Sequence, residues 1–405
     1  MFETARPEDL GLSADRLTAV SRWMRRYIEE GKLPGAMTLI ARHGQIAFLE
    51  CQGHRDLEAG LPVEEDTLFR FYSMTKPITS TAAMMLYEEG RFQLEDPVSK
   101  FIPEFAKMRV WVSGEDDAMT TVPAKGPITM KQLLTHTSGL TYGFMESTPV
   151  DAAYRANKIE FNAGKGTLAD TAARLAAMPL LAEPGTEWNY SVSTDVLGRV
   201  VEVISGQSLD VFFKERILDP LGMKDTAFQV PAGQSGRFAA LYVPTADGGM
   251  ELADAPASSH YVTGVTNLSG GGGLVSTMAD YFRFTEMLRR KGEFDGVRLL
   301  GRKTVEYMTQ NHLPGDMASM GQPRFSEVSY EGIGFGLGFS VVLDPAKAQV
   351  MASPGEYAWG GAASTVFWID PVEDITVIFL TQLRPSSTYP LRPQLRVLTY
   401  QALID

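Results

Sequence analysis

The sequence predicts an α+β fold of two lobes, an antiparallel sheet flanked by helices and an all-helical lobe. Three observations predict it. Strand-like segments gather at the two ends of the chain, at about 36–51 and 336–381. The middle carries helical periodicity instead. A chain of 405 residues is also long enough for two lobes around a large buried core.

The elements follow in order. Ser13 caps a helix of about 14–31, with Leu17, Val20, Met24 and Tyr27 on one face. Two short strands come next, about 36–42 and 46–51, and the tight turn His43-Gly44-Gln45 makes them an antiparallel hairpin. At Phe71 to Thr79 a strand-like approach meets the start of a helix. The Pro-, Gly- and charge-rich stretch of about 91–127 reads as loops. Helices are expected at about 129–135, 167–178, 192–204 and 207–217, closed by a turn at Asp219-Pro220-Leu221-Gly222-Met223.

Ser269 to Ser276 reads as a flexible glycine turn. A dinucleotide fingerprint starting at Gly270 needs a third glycine where Val275 stands, and no phosphate-binding lysine follows. Ser276 or Thr277 then caps a helix to about Arg290, with Asp280 in its first turn. Strands at about 336–343, 363–369 and 374–381 and a helix at about 392–403 complete the chain. Residues 1–85 and 290–405 are therefore assigned to the sheet lobe and 86–289 to the mostly helical lobe. The cleft between lobes is where a site is expected.

Composition narrows the function classes. The net charge is −12 and the acidity is spread out, with no basic stripe. That disfavours nucleic acid and anionic membrane as partners. No apolar run approaches membrane-spanning length. Cys51 is the sole cysteine, so no intrachain disulfide forms, and its place in the apolar pattern Ile46 to Cys51 is that of core filler. The first residues, MFETARPEDLGLSADRL, lack a basic region followed by an apolar core, which makes a cytoplasmic enzyme the expectation. His43, His54, His136, His260 and His312 are dispersed without ligand spacing, so neither metal nor other cofactor is expected.

The chemistry centres on Ser73-Met74-Thr75-Lys76. A serine hydroxyl is a poor nucleophile until a base takes its proton. Serine and lysine three apart on a helix share a face, which brings an amine within reach. Most such pairs are solvated helix faces. Here Ser73 is the only serine with lysine three positions later, and the helix continues through Ile78, Ala82, Ala83, Met84 and Leu86 as a buried face. A lysine opening a buried helix is costly without a task or a partner.

Three further segments bear on the site. Tyr190 stands just before a helix; alone, it reads as a half-buried packing residue. Trp359-Gly360-Gly361-Ala362 leads into an apolar strand; alone it reads as a turn, although glycines also let a ligand approach the backbone. His136, in Leu133-Leu134-Thr135-His136-Thr137-Ser138-Gly139-Leu140, reads as a structural hydrogen-bonding residue. No G-x-S-x-G occurs, so the α/β-hydrolase nucleophile elbow is absent.

Taken in order, these segments resemble the serine β-lactamase and penicillin-binding protein superfamily. S-x-x-K is matched by Ser73 to Lys76, and Y-x-N of the class C branch by Tyr190-Ser191-Val192. K-T-G or H-x-G is matched by Trp359-Gly360-Gly361. The L-L-T-H-T-S-G-L segment and Gly271 to Phe284 are similar to that branch as well, so the likeness spans nearly the whole chain. Two departures matter. Val192 stands where an asparagine binds the lactam amide, and Trp359 replaces a cation that holds a substrate carboxylate. Tyr-Ser-Val with Trp-Gly-Gly resembles the family VIII carboxylesterases.

The resemblance implies a β-lactamase-like fold and a small ester as substrate. It implies Ser73 as nucleophile, Lys76 as base and Tyr190 as relay to the leaving alcohol. The backbone N–H groups of Ser73 and Ala362 would form the oxyanion hole, with Trp359, Gly360, Gly361 and Val192 facing the substrate. Three alternatives stay open: a β-lactamase or D-amino-acid peptidase, a non-catalytic scaffold on the same fold, and acyl transfer to an alcohol. The oligomeric state is not legible.

Overall fold

A computed structural model describes residues 2–159, 161, 166–322, 324, 325 and 328–405. Its centre is an eight-stranded antiparallel sheet built from both ends of the chain. The strands lie in the order Ile333–Phe335, Ser340–Val342, Tyr357–Gly360, Val366–Asp370, Ile375–Thr381, then β1 (Gly35–Arg42), β2 (Gln45–Asp56) and β3 (Leu61–Pro62). β1 is buried along its whole length because it is central. It pairs Leu39 with Leu49 of β2 on one side and with Ile378 on the other.

The period-2 alternation of β1 serves two cores at once. Ala36 and Ile40 face α1 (Ala14–Glu29) and the Leu391–Tyr400 helix, among Trp23, Phe379 and Leu395. Met37, Leu39 and Ala41 face the opposite side, toward α2 (Lys76–Glu88) and the larger core. Ser13 caps α1 as expected, accepting from Arg16 N.

Several expectations change in detail. The strand expected at about 336–343 is a hairpin, because Gly338 at φ +104° turns the chain between two short strands. The loop region of about 91–127 contains a hairpin, Arg109–Ser113 with Thr120–Pro123. A helix at Pro149–Ala156 was not foreseen; a capping box between Thr148 and Asp151 starts it. The turn at Asp219 to Met223 is instead helix continued through a π-turn, Lys214–Leu218, as far as Leu221. Gly222 at φ +68° ends it. The Met278–Arg289 helix, assigned by sequence to the helical lobe, packs on the Ile375–Thr381 strand of the sheet. The main link between the sheet side and the helical region is α2 against the Ser193–Ser205 helix. Among the described residues, no helix is long and apolar enough to cross a membrane.

Candidate active site

The approach to Ser73 is anchored from behind. Phe69–Arg70 pairs with Val275–Ser276, and the Arg70 side chain is fully buried. Its guanidinium donates to Asp254 Oδ2 at 2.6 Å and to the Ala239 carbonyl at 2.5 Å. The next turn is tight: Tyr72 takes φ +45°, and Tyr72–Thr75 is a 3-10 turn that leads straight into α2 at Lys76. In a 3-10 turn residues i and i+3 eclipse, so Lys76 projects on the same side as Ser73. Lys76 Nζ lies 3.1 Å from Ser73 Oγ.

Tyr190 arrives from just before the Ser193–Ser205 helix. Its backbone neighbours are pinned, with Trp188 N donating to Met320 O and Asn189 N to His136 O, each at 2.9 Å. The phenol oxygen lies 2.5 Å from Ser73 Oγ. The ring is enclosed by His136, Tyr142 and Trp359, with centroids 5.1, 5.2 and 5.4 Å away. The structure thus brings Ser73, Lys76 and Tyr190 together. His136 keeps a structural place: Nδ1 is 3.2 Å from Ser191 Oγ, and burial, helped by the Lys76 charge, holds its pKa well below the usual imidazole value.

Lys76 donates three hydrogen bonds, to Ser73 Oγ, to Tyr142 OH at 3.0 Å and to the Gly271 carbonyl at 2.7 Å. Behind it stands Asp195, 1% exposed, which accepts from Ser269 Oγ at 2.6 Å, Gly271 N at 2.9 Å and Tyr142 OH at 3.5 Å. Burial raises the Asp195 carboxyl above its ordinary value, while the Lys76 charge and these hydrogen bonds pull it back. Burial and the neighbouring carboxylate push the Tyr142 phenol well above its usual range. Tyr142, Asp195 and Gly271 were not singled out by sequence. One signal was available: Asp195 is an acid in the first turn of a helix whose following residues, Val196 and Leu197, are apolar.

Two sequence expectations are corrected. The glycine stretch at 269–276 is not a flexible turn. A Cβ on Gly271 would lie 2.4 Å from Asp195 Oδ2, and one on Gly270 2.8 Å from the Thr194 carbonyl, so these glycines admit protein atoms. Gly360 and Gly361 likewise stand close to protein atoms. Their missing side chains make room for the Arg392 guanidinium at 2.6 Å and the Phe71 carbonyl at 2.4 Å. Val192 is not a substrate-facing residue either: it is 1% exposed and belongs to the large core.

Trp359 does border Tyr190, and its ring meets Phe335 edge-on at 5.3 Å. Because Gly361 abuts Phe71, the turn carrying half-exposed Ala362 lies against the chain that leads into Ser73.

Comparison with known proteins places the chain in a family. The Beta-lactamase family matches residues 20–401. Protein Rv1367c of Mycobacterium tuberculosis is 38% identical over 369 residues, covering 90% of this chain and 89% of that protein. Esterase EstB of Burkholderia gladioli is 32% identical over 396 residues, covering 93% and 92%. Among solved structures, EstCE1, described as a hydrolase with promiscuous acyltransferase activity, superposes with a TM-score of 0.80 at 29% identity. The match covers 96% of this chain and 98% of that one.

Proposed function

The chain belongs to the Beta-lactamase family and is a serine hydrolase, and from that premise we propose that it is a carboxylesterase cleaving short-chain acyl esters through an acyl-enzyme on Ser73. One observation carries the reading: Ser73 Oγ is within hydrogen-bond distance of both Tyr190 OH, at 2.5 Å, and Lys76 Nζ, at 3.1 Å. Nucleophilic catalysis needs such a pair beside the hydroxyl.

The three acceptors around Lys76 match the three donors of an ammonium group. In this proposal Tyr190, the nearer group, takes the Ser73 proton in place of the Lys76 base expected from sequence, and Lys76 acts with it as one pair. As Ser73 Oγ bonds to the ester carbon, its proton passes to the Tyr190 oxygen. The carbonyl oxygen becomes an oxyanion, held by the N–H groups of Ser73 and Ala362. One such donor is typically worth ~3–4 kcal/mol to the transition state. Collapse of the intermediate expels the alkoxide, which takes the proton from Tyr190. Water then repeats the sequence against the acyl-enzyme, and an alcohol in its place gives acyl transfer.

The substrate reading follows from what the wall lacks. Trp359 offers an aromatic surface and no cation. An uncharged ester suits such a wall; a β-lactam carboxylate finds no partner there. The name of Esterase EstB supports the same choice, and the description of EstCE1 as a hydrolase with promiscuous acyltransferase activity is consistent with an acyl-enzyme. A cytoplasmic setting fits the single cysteine, Cys51, whose thiol burial pushes up to about 12, leaving it unreactive. Fractionation with the activity in the periplasm would overturn that setting.

The test is mass spectrometry after treatment with a short p-nitrophenyl ester or a phosphonate. One acyl or phosphonyl group on Ser73 is expected, together with a loss of kcat of at least ~10³-fold in Ser73→Ala. An adduct elsewhere, or a variant keeping more than roughly a tenth of the rate, overturns the reading.

A further inference from the structure

We infer that Asp195 is the buried counter-charge of Lys76, acting through Tyr142 and Gly271 to position the amine and to hold its proton. This rests on the Ser73 reading above and adds a positioning residue to it. The geometry is specific. Apart from Ser73, Lys76 has two hydrogen-bond partners, the Gly271 carbonyl and the Tyr142 hydroxyl. Asp195 holds both, Gly271 through its N–H and Tyr142 through its O–H. One carboxylate thus sets the position of two of the three groups that receive the amine.

A carboxylate this deeply buried is costly unless hydrogen-bonded and balanced. Three donors satisfy its oxygens: Ser269 Oγ, Gly271 N and Tyr142 OH. The charge that most favours its ionised form is that of Lys76. The carboxylate has its place only because residue 271 is glycine, since any Cβ there would overlap Asp195 Oδ2. The titratable groups around Lys76 are Tyr142, Tyr190, His136 and Asp195. His136 is neutral, as burial dictates. Asp195 is the carboxyl group of this set, and the Lys76 charge favours its ionised form.

The consequence is a pH dependence. The kcat/KM profile of an acid–base reaction has an acid and an alkaline limb, each marking the loss of one proton from the reacting site. A nearby negative charge makes both losses harder, so Asp195 holds both limbs of the profile at higher pH. Asp195→Asn removes the charge and keeps the size and an acceptor for Ser269 and Gly271. Both limbs of the kcat/KM profile should then move to lower pH by about one to two units.

The measurement is hydrolysis of ethyl butyrate by pH-stat in wild type, Asp195→Asn and Tyr142→Phe. Tyr142→Phe removes one acceptor from Lys76 while keeping the carboxylate, so its limbs should move the same way by less. Limbs that stay in place in both variants, or that move to higher pH, overturn the inference, since a merely structural role lowers the rate without moving them. If Asp195→Asn does not fold by circular dichroism, Tyr142→Phe decides alone by the same criterion. Phosphonate labelling of wild type separates the two failures. An unlabelled Ser73 removes the nucleophile itself, whereas a labelled Ser73 with unmoved limbs removes only the role of Asp195.

Discussion

The Ser73 hydroxyl and the Tyr190 phenol lie 2.5 Å apart across 117 residues of sequence. The contact exists because α2, which begins three residues after Ser73, packs against the Ser193–Ser205 helix, which begins three residues after Tyr190. Helix pairing in the core therefore sets the distance between the two oxygens.

Tyr190 and Lys76 should behave as one unit. Lys76→Ala and Tyr190→Phe are each expected to lower kcat/KM by about 10²- to 10⁴-fold, and the double variant should be little worse than the more damaging single change. Losses that simply add in free energy would assign the residues separate roles. In wild type, kcat/KM should rise toward mildly alkaline pH, because the pair must first lose a proton. A maximum near about pH 5 contradicts this.

Substrate preference follows from Trp359. Short esters should be the best substrates and β-lactams poor ones, because each charge-assisted hydrogen bond that is missing weakens recognition by ~1.5–3 kcal/mol. Comparing kcat/KM for p-nitrophenyl acetate, butyrate and laurate with a chromogenic cephalosporin checks both parts. A cephalosporin that outruns the best ester defeats the ester reading, and laurate as the fastest ester defeats the short-chain part.

Gly361→Ala should damage stability and rate together. Its Cβ would stand 2.3 Å from Thr365 Oγ1 and 2.4 Å from the Phe71 carbonyl, so backbone has to move. Overpacking of this kind costs about 1–3 kcal/mol, and the displaced turn is the one that carries Ala362. Denaturant midpoints read the first effect and kcat the second; wild-type values for both would show that the turn is slack.

Arg70 is expected to matter for stability more than for chemistry. Arg70→Met leaves Asp254 without its cation and the Ala239 carbonyl without its donor. Breaking a buried pair by removing one partner costs about 3–5 kcal/mol, measurable by guanidinium unfolding. Arg70→Lys should recover only part of that, because an ammonium lacks the planar fork that reaches both acceptors. Full recovery by lysine would show that charge alone is needed.

Local signals carried the elements with regular periodicity. Ser13 and the face Leu17, Val20, Met24 marked α1, and the apolar runs at both ends marked the sheet that the eight strands form. They failed where glycine decided the path, as at Gly338, where one apolar run folds back on itself. Ser73 and Lys76 were legible because a single turn of chain joins them.

Tyr142, Gly271 and Asp195 were not legible. Their contacts with Lys76 and with one another span 53 to 195 residues, and no local pattern encodes such a distance. What the sequence determined by itself is therefore the set of groups available: a serine hydroxyl, an amine and a phenol in a chain whose elements follow from local periodicity. What only the tertiary structure decided is how those groups are held. A buried amine requires hydrogen-bond partners, and here close packing of α2, the Ser193–Ser205 helix and the glycine stretch brings them together.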